Sequence, residues 1–485
     1  MNNRLPTALR AFALIAFIFA LTMPAAAQPP QATLLYLPLL HLPSASPFSF
    51  QASTATYLGG QAADSATAVA FSNDGGVVVA GSFPDYSPAG VMPIALLGGG
   101  DGAVLRLAPD GRTLRSLTRL GPITDMAVAA DGTIVVCGSF GIAALSADAS
   151  ALRWNAAPGS VARCDVGSDG TAAALVGRTV SLYNGAGAAA GSFTASGTAV
   201  NDLAVDGANQ QVIVGGYKQD DGGSCGPLQI GFLRAYAYAG AQRWAAYDWN
   251  KTQVGGLSLC ADTRTRVVSL GADGQIYAAN SINGGTGASI YARDPLELAR
   301  SASDRTVSID DYTNPFNTGS ISMFYVGRYR PADGALLLGQ SLLTRRTSDR
   351  KGNSIGVKSL AADAAGRLVV VGDAACCIAN RDQRQVAGTT VATYGGSEAY
   401  LLALSADFRT RLAWAIFTGP SDLGSSHSSA LSGVTLRGGK VAAVGTLNNG
   451  SQANLRGRLL TYNAFQAEPA SLSASEGYML LWPMP

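Results

Sequence analysis

The chain has 485 residues, 58 of them glycine, with 34 Lys and Arg against 32 Asp and Glu and a formal charge of +2. Charged residues make up only 14% of the chain and hydrophobic ones 47%. That excludes wholesale disorder and argues against a nucleic-acid partner, which would need a basic patch to displace counterions. Two histidines leave little material for metal sites or imidazole chemistry, so neither a metal nor a cofactor is expected.

Residues 1–27 read as a signal peptide. Arg4 and Arg10 flank the start, residues 11–23 are apolar but too short to span a bilayer, and Pro24-Ala-Ala-Ala27 offers a small-residue cleavage site. The expectation is a secreted, extracellular or cell-envelope protein with no transmembrane segment in the mature chain. Residues 28–53 are rich in Pro and Ser and read as a leader or linker. The remainder, 54–485, reads as one domain.

That domain is organised by a repeat: a short apolar strand, an Asp-Gly-type turn, and a second apolar strand ending in glycine. Copies fall at 67–83, 124–140, 162–177, 201–217, 256–271, 357–372 and 433–445, with closing glycines Gly81, Gly138, Gly177, Gly215, Gly271, Gly372 and Gly445. One position of the first strand is apolar throughout: Val69, Met126, Cys164, Leu203, Leu259, Leu360 and Val434. Such constancy is what period-2 burial demands. A second strand pair follows in the clearest copies, at 102–121, 232–247, 324–343 and 399–417. Two hairpins per copy and seven copies predict an all-β, seven-bladed β-propeller of four-stranded antiparallel blades. The segment 54–59 is expected to close the ring as the outer strand of the seventh blade, hiding an otherwise open edge.

Tyr57-Leu-Gly-Gly60, Asp64, Ala66-Thr-Ala-Val69 and residues 77–81 resemble the bacterial SBBP-type β-propeller repeat, as do residues 102–111 and 398–414. The resemblance is good over blades one and six and partial over blade two. It implies an exported propeller and no catalytic residues, because the motif consists of turn and core positions.

Long connections at 84–101, 218–229, 272–321, 373–398 and 446–475 all join a first hairpin to a second, which places them on one face of the ring. Long loops of this kind commonly serve binding, although insertions there also cost little. The candidate ligand-binding residues are Asp85, Tyr86, Lys218, Asp220, Asp221, Asp310, Asp311, Tyr312, Arg381 and Arg384, with Tyr supplying rigid amphipathic contact area. Asp125, Arg163 and Asp202 begin the first strands of blades two to four. They read either as a charged cluster at the channel mouth or, preferably, as an Asp–Arg–Asp network between blades.

The six cysteines suit an oxidising compartment. Candidate pairs are Cys137–Cys164, Cys225–Cys260 and Cys376–Cys377. No G-x-S-x-G, H-E-x-x-H or EF-hand pattern occurs, and His427 lies in a serine loop without an evident acid partner. The functional expectation is a monomeric, non-catalytic binding or scaffold module for a polysaccharide, cell-envelope or protein ligand. The alternative is an enzyme working at the same channel mouth, quinone-dependent or glycan-acting. Its basis is Trp154, Trp244 and Trp414 in comparable fourth strands and the adjacent Cys376 and Cys377.

Overall fold

A computed structural model describes residues 49–50, 53–221, 225–379, 385–386, 389–390, 397–418, 428–448, 459–471 and 473–484. The signal-peptide reading, Arg381, Arg384 and His427 lie outside them. Seven sheets of four antiparallel strands follow one another around a central channel, each running from an innermost to an outermost strand. The innermost strands are Ser65–Phe71, Ile123–Val128, Arg163–Val166, Ala199–Asp206, Asp262–Leu270, Ile355–Ala362 and Ser428–Arg437. Blade one gains a short fifth strand, Ile94–Ala95, parallel to its outermost strand.

Burial explains why the sequence forms these strands. Second strands such as Val77–Ser82 and Ile134–Gly138 are buried along almost their whole length, because both faces pack against neighbouring blades. Outermost strands alternate, as in Leu152–Ala156, where every second residue is exposed. Apolar clusters lie between blades: Val78, Val104, Met126 and Val136 join blades one and two, and Val77, Leu105, Val444 and Met479 join blades seven and one.

The ring closes as expected. Thr54–Leu58 pairs antiparallel with Glu476–Pro483, from Thr54 opposite Leu481 to Leu58 opposite Gly477, and so forms the outermost strand of blade seven. The Tyr57 hydroxyl accepts from the Leu459 amide at 2.7 Å, and Asp64 N donates to Ser475 O at 2.8 Å.

Six innermost strands carry a β-bulge at the same place, where the register slips around Thr67, Thr124, Asn201, Arg266, Lys358 and Ser432. The closing glycines follow from it. A Cβ at Gly81, Gly138, Gly216, Gly372 or Gly445 would overlap the carbonyl oxygen of Ser65, Pro122, Ala199, Gly356 or Ala430, which the bulge pushes across the second strand.

Blade five departs from this rule and corrects the sequence reading. Its first hairpin is Asp262–Leu270 with Ile276–Asn283, not 256–271. Gly271 lies in the turn, donating to Gln275 O at 2.8 Å. Asn280 stands where other blades have glycine, opposite Thr265, and its side chain meets the Thr265 hydroxyl at 2.9 Å and donates to Tyr325 O at 3.0 Å. Leu259 instead follows a short helix, Lys251–Gly255, in the link from blade four, and the repeated apolar position belongs to Val268. In blade four the glycine required by the bulge is Gly216, one residue past the expected one. In blade three, Gly177 makes the tight turn between second and third strands.

The strand ends that carry the long connections all lie on one face, as their position in the strand order requires. Four connections are shorter than expected, at 221–227, 284–321, 375–397 and 449–475, because the flanking strands run on into them.

Candidate functional site

Three of the six bulged residues lace one blade to the next. Thr124 Oγ1 donates to Val161 O at 2.7 Å, Asn201 Nδ2 to Thr265 O at 2.7 Å, and Ser432 Oγ to Ala66 O at 2.6 Å. In alternate blades the next residue accepts from the following blade: Asp125 from Cys164 N at 3.3 Å, Asp202 from Val268 N at 2.9 Å, and Ser359 from Val434 N at 3.3 Å. Asp165 likewise accepts from Val205 N at 2.8 Å, and Arg163 reaches Asp202 at 3.6 Å. The Asp125, Arg163 and Asp202 side chains therefore line the channel and tie blades two to five together.

These acids are enclosed. Burial pushes Asp165 and Asp202 up to about 7 and raises Asp125 as well, with Arg163 opposing the rise at Asp125 and Asp202. The channel they line has a volume of about 640 Å³ and extends toward the turn-bearing face at Asn73 and Arg437.

At the opposite end, toward the long connections, the channel opens into a second cavity of about 730 Å³ between blades three and six. Starts of innermost strands supply Arg163, Asn201, Arg264, Arg266 and Lys358. Ends of second strands and starts of third strands supply Asn283, Ser322 and Ser397. The lining is hydroxyl, amide and cation with one carboxylate, Asp373, which accepts from Ser397 at 3.0 Å, and Phe324, Val267, Ile355 and Val357 are its main apolar members.

Most of the loop residues singled out from sequence are engaged within the fold. Asp85 is exposed and accepts from the Gln61 and Ala62 amides at 3.0–3.1 Å. Lys218 pairs with Asp248 at 2.9 Å, Asp220 accepts from Lys251 N at 2.9 Å, and Asp221 accepts weakly from Gln219. Asp310 pairs with Arg411, and Asp311 with Arg350 at 2.6 Å. Two expectations are corrected: Tyr86 and Tyr312 are not contact residues on the surface. They are 5% and 7% exposed, Tyr86 packed beside Phe83 and Tyr312 edge-on to Trp414, because an aromatic ring beside an apolar blade edge gains more from burial than from solvent.

The features behind the enzyme alternative lie in other places. Trp154 donates to Gly185 O at 3.1 Å and Trp244 to Pro331 O at 2.8 Å, each reaching a turn of the following blade from an outermost strand, and Trp414 is buried. Cys376 and Cys377 are bonded to each other, and Cys377 exchanges backbone hydrogen bonds with Arg345 at 3.2 Å. Cys137 is bonded to Cys164 between blades two and three. Cys225 is bonded to Cys260, joining a long connection of blade four to the link into blade five. Among the described residues, no group of three or more His, Cys, Asp or Glu is arranged to hold a metal, and no helix is long and apolar enough to cross a membrane.

The sequence reading missed Arg264, Arg266 and Lys358. The signal was available: the bulged position lies two residues before the repeated apolar one, and it is Thr124, Asn201 or Ser432 where it ties blades, Thr67 in blade one, and Arg or Lys in blades five and six.

No family model matches the sequence, and no curated protein matches it.

Proposed function

We propose that this chain is an exported, non-catalytic binding module of the SBBP-type propeller kind, holding a polysaccharide, cell-envelope or protein ligand at the channel mouth on the long-connection face. The observation that carries the reading is the cavity of about 730 Å³ at that mouth, lined mainly by hydroxyl, amide and cationic groups, with Asp373 as a carboxylate beside Lys358. Its volume falls within the ~300–1,000 Å³ typical of ligand sites. The long connections surround the same face, where rigid scaffolds commonly present recognition elements. The N-terminal charge, apolar run and small-residue site of residues 1–27 support export.

The test is retention of the chain from residue 28 onward on insoluble polysaccharides and envelope fractions, compared with Asn283→Trp. Asn283 is an exposed lining residue, so the indole fills the mouth without entering the core. Retention that Asn283→Trp abolishes supports the reading. No retention on any fraction, or retention indifferent to the substitution, defeats it.

A further inference from the structure

The regularity of the bulges makes their exceptions informative. In blades two, four and seven the bulged side chain is a neutral donor spent on the neighbouring blade. In blades five and six it is Arg266 and Lys358, and neither donates to the next blade. Arg266 Nε meets the Ser281 hydroxyl at 3.3 Å, and Lys358 stands 3.7 Å from Asp373. Two neighbouring blades have thus given up the tie, and both side chains enter the same cavity.

Arg264, two residues before Arg266 on the same strand, lines that cavity too. Its Nε is buried without a hydrogen-bond partner, and its guanidinium lies 5.2 Å from the Tyr217 ring centroid. No described carboxylate pairs with Arg264 or Arg266, although the two cations are close enough to repel: burial first, then Arg264, lowers the Arg266 pKa. Arg163 completes the group at the rim, shared loosely with Asp202 at 3.6 Å. Uncompensated guanidinium groups held together at a cavity wall are arranged to receive a planar oxyanion through paired N–H donors.

The rest of the lining selects among anions. Asn283, Ser281, Ser322, Ser354 and Ser397 place amide and hydroxyl groups among the cations, and the one carboxylate, Asp373, is held by Ser397 and Lys358, a pattern that matches sugar hydroxyls beside a carboxylate.

We infer that the channel mouth binds an acidic polysaccharide through a uronate carboxylate held by Arg264 and Arg266, with Arg163 and Lys358 flanking it. The inference rests on the binding reading above and specifies its chemistry.

Affinity electrophoresis through alginate, polygalacturonate and hyaluronan, with dextran and fully methyl-esterified polygalacturonate as neutral gels, tests it. The wild-type chain is expected to be retarded by at least one uronate polymer and not by the neutral gels. Arg264→Gln and Arg266→Gln should each weaken retardation roughly tenfold, as loss of a charge-assisted contact does. Arg153→Gln, an exposed blade-two residue paired with Asp131, should leave it unchanged. Circular dichroism of the variants separates misfolding from lost contact. Retardation equal in neutral gels, or undiminished in both variants, overturns the uronate assignment. Equal binding of single-stranded DNA, reporting charge alone, also overturns it. If a neutral polymer is bound and Asn283→Trp abolishes that binding, the uronate assignment falls and the binding reading stands. If nothing is bound in any gel or fraction, both fall.

Discussion

Trp244, in the outermost strand of blade four, donates its indole N–H to the carbonyl of Pro331 in blade five at 2.8 Å, with Gly334 directly beneath the ring. A Cβ at Gly334 would lie 2.6 Å from the indole, and Gly334 has φ of +75°. Trp154 stands in the same relation to Gly187 two blade interfaces earlier. Gly334→Ala should therefore destabilise the fold by ~1–3 kcal/mol through overpacking, with additional backbone strain. Gly438→Ala, at φ of +57° with no neighbour within 4 Å, carries the strain alone and serves as its control. Thermal denaturation of both variants checks the difference.

The ties between blades make a second expectation. Asn201→Ala leaves the Thr265 carbonyl without its 2.7 Å donor. The expected loss is about 1–3 kcal/mol in urea denaturation. Lys358→Ala, at the equivalent position but without a tie to blade seven, should cost distinctly less.

Stability should rise on mild acidification. Asp64 and Glu476 are buried beside the closing strand, and burial raises them to about 6 and 7, with Asp85 adding repulsion at both and Arg119 opposing it at Asp64. Burial also holds Asp165 and Asp202 near 7. A carboxyl whose folded pKa exceeds its unfolded value binds more protons when folded, so stability falls as pH rises through that window. The melting temperature is expected to increase from pH 8 to pH 5. The combined Asp64→Asn and Glu476→Gln variant should flatten the profile and melt higher at pH 8. A midpoint that falls steadily from pH 8 to pH 5 contradicts this.

Reduction should act through both long-range disulfides, Cys137–Cys164 across 27 residues between blades two and three and Cys225–Cys260 across 35 residues. The Cys137→Ala/Cys164→Ala variant is expected to lose about 2–4 kcal/mol. Dithiothreitol should then shift its melting temperature less than it shifts that of the wild-type chain.

The architecture was legible in the sequence because its determinants are local and repeated: Asp-Gly turns, alternating burial and a glycine opposite the bulge. Blade five was misplaced by one strand for a physical reason. Asn280 fills the glycine position with a side chain that bonds to both adjacent strands, which leaves Gly271 in the turn as the glycine that fits the repeat. Tyr86 and Tyr312 were misjudged because loop membership says nothing about which ring folds back onto a blade. The cationic mouth escaped notice because Arg264, Arg266 and Lys358 stand among core-like strand residues, and their common destination depends on four blades meeting around one axis.

Closure by Thr54–Leu58 also sets the order in which the molecule can be completed. The strand that seals the ring is made near the beginning, yet its partner, Glu476–Pro483, is made near the end. Six blades can pair within themselves as they emerge, but the circle stays broken until the final strand arrives. Contacts of such long range are slow to form, so the last event in folding is a meeting of the oldest and newest parts of the domain. Until then the unfinished ring presents an unpaired blade edge at the very interface that later holds Asp64 and Glu476.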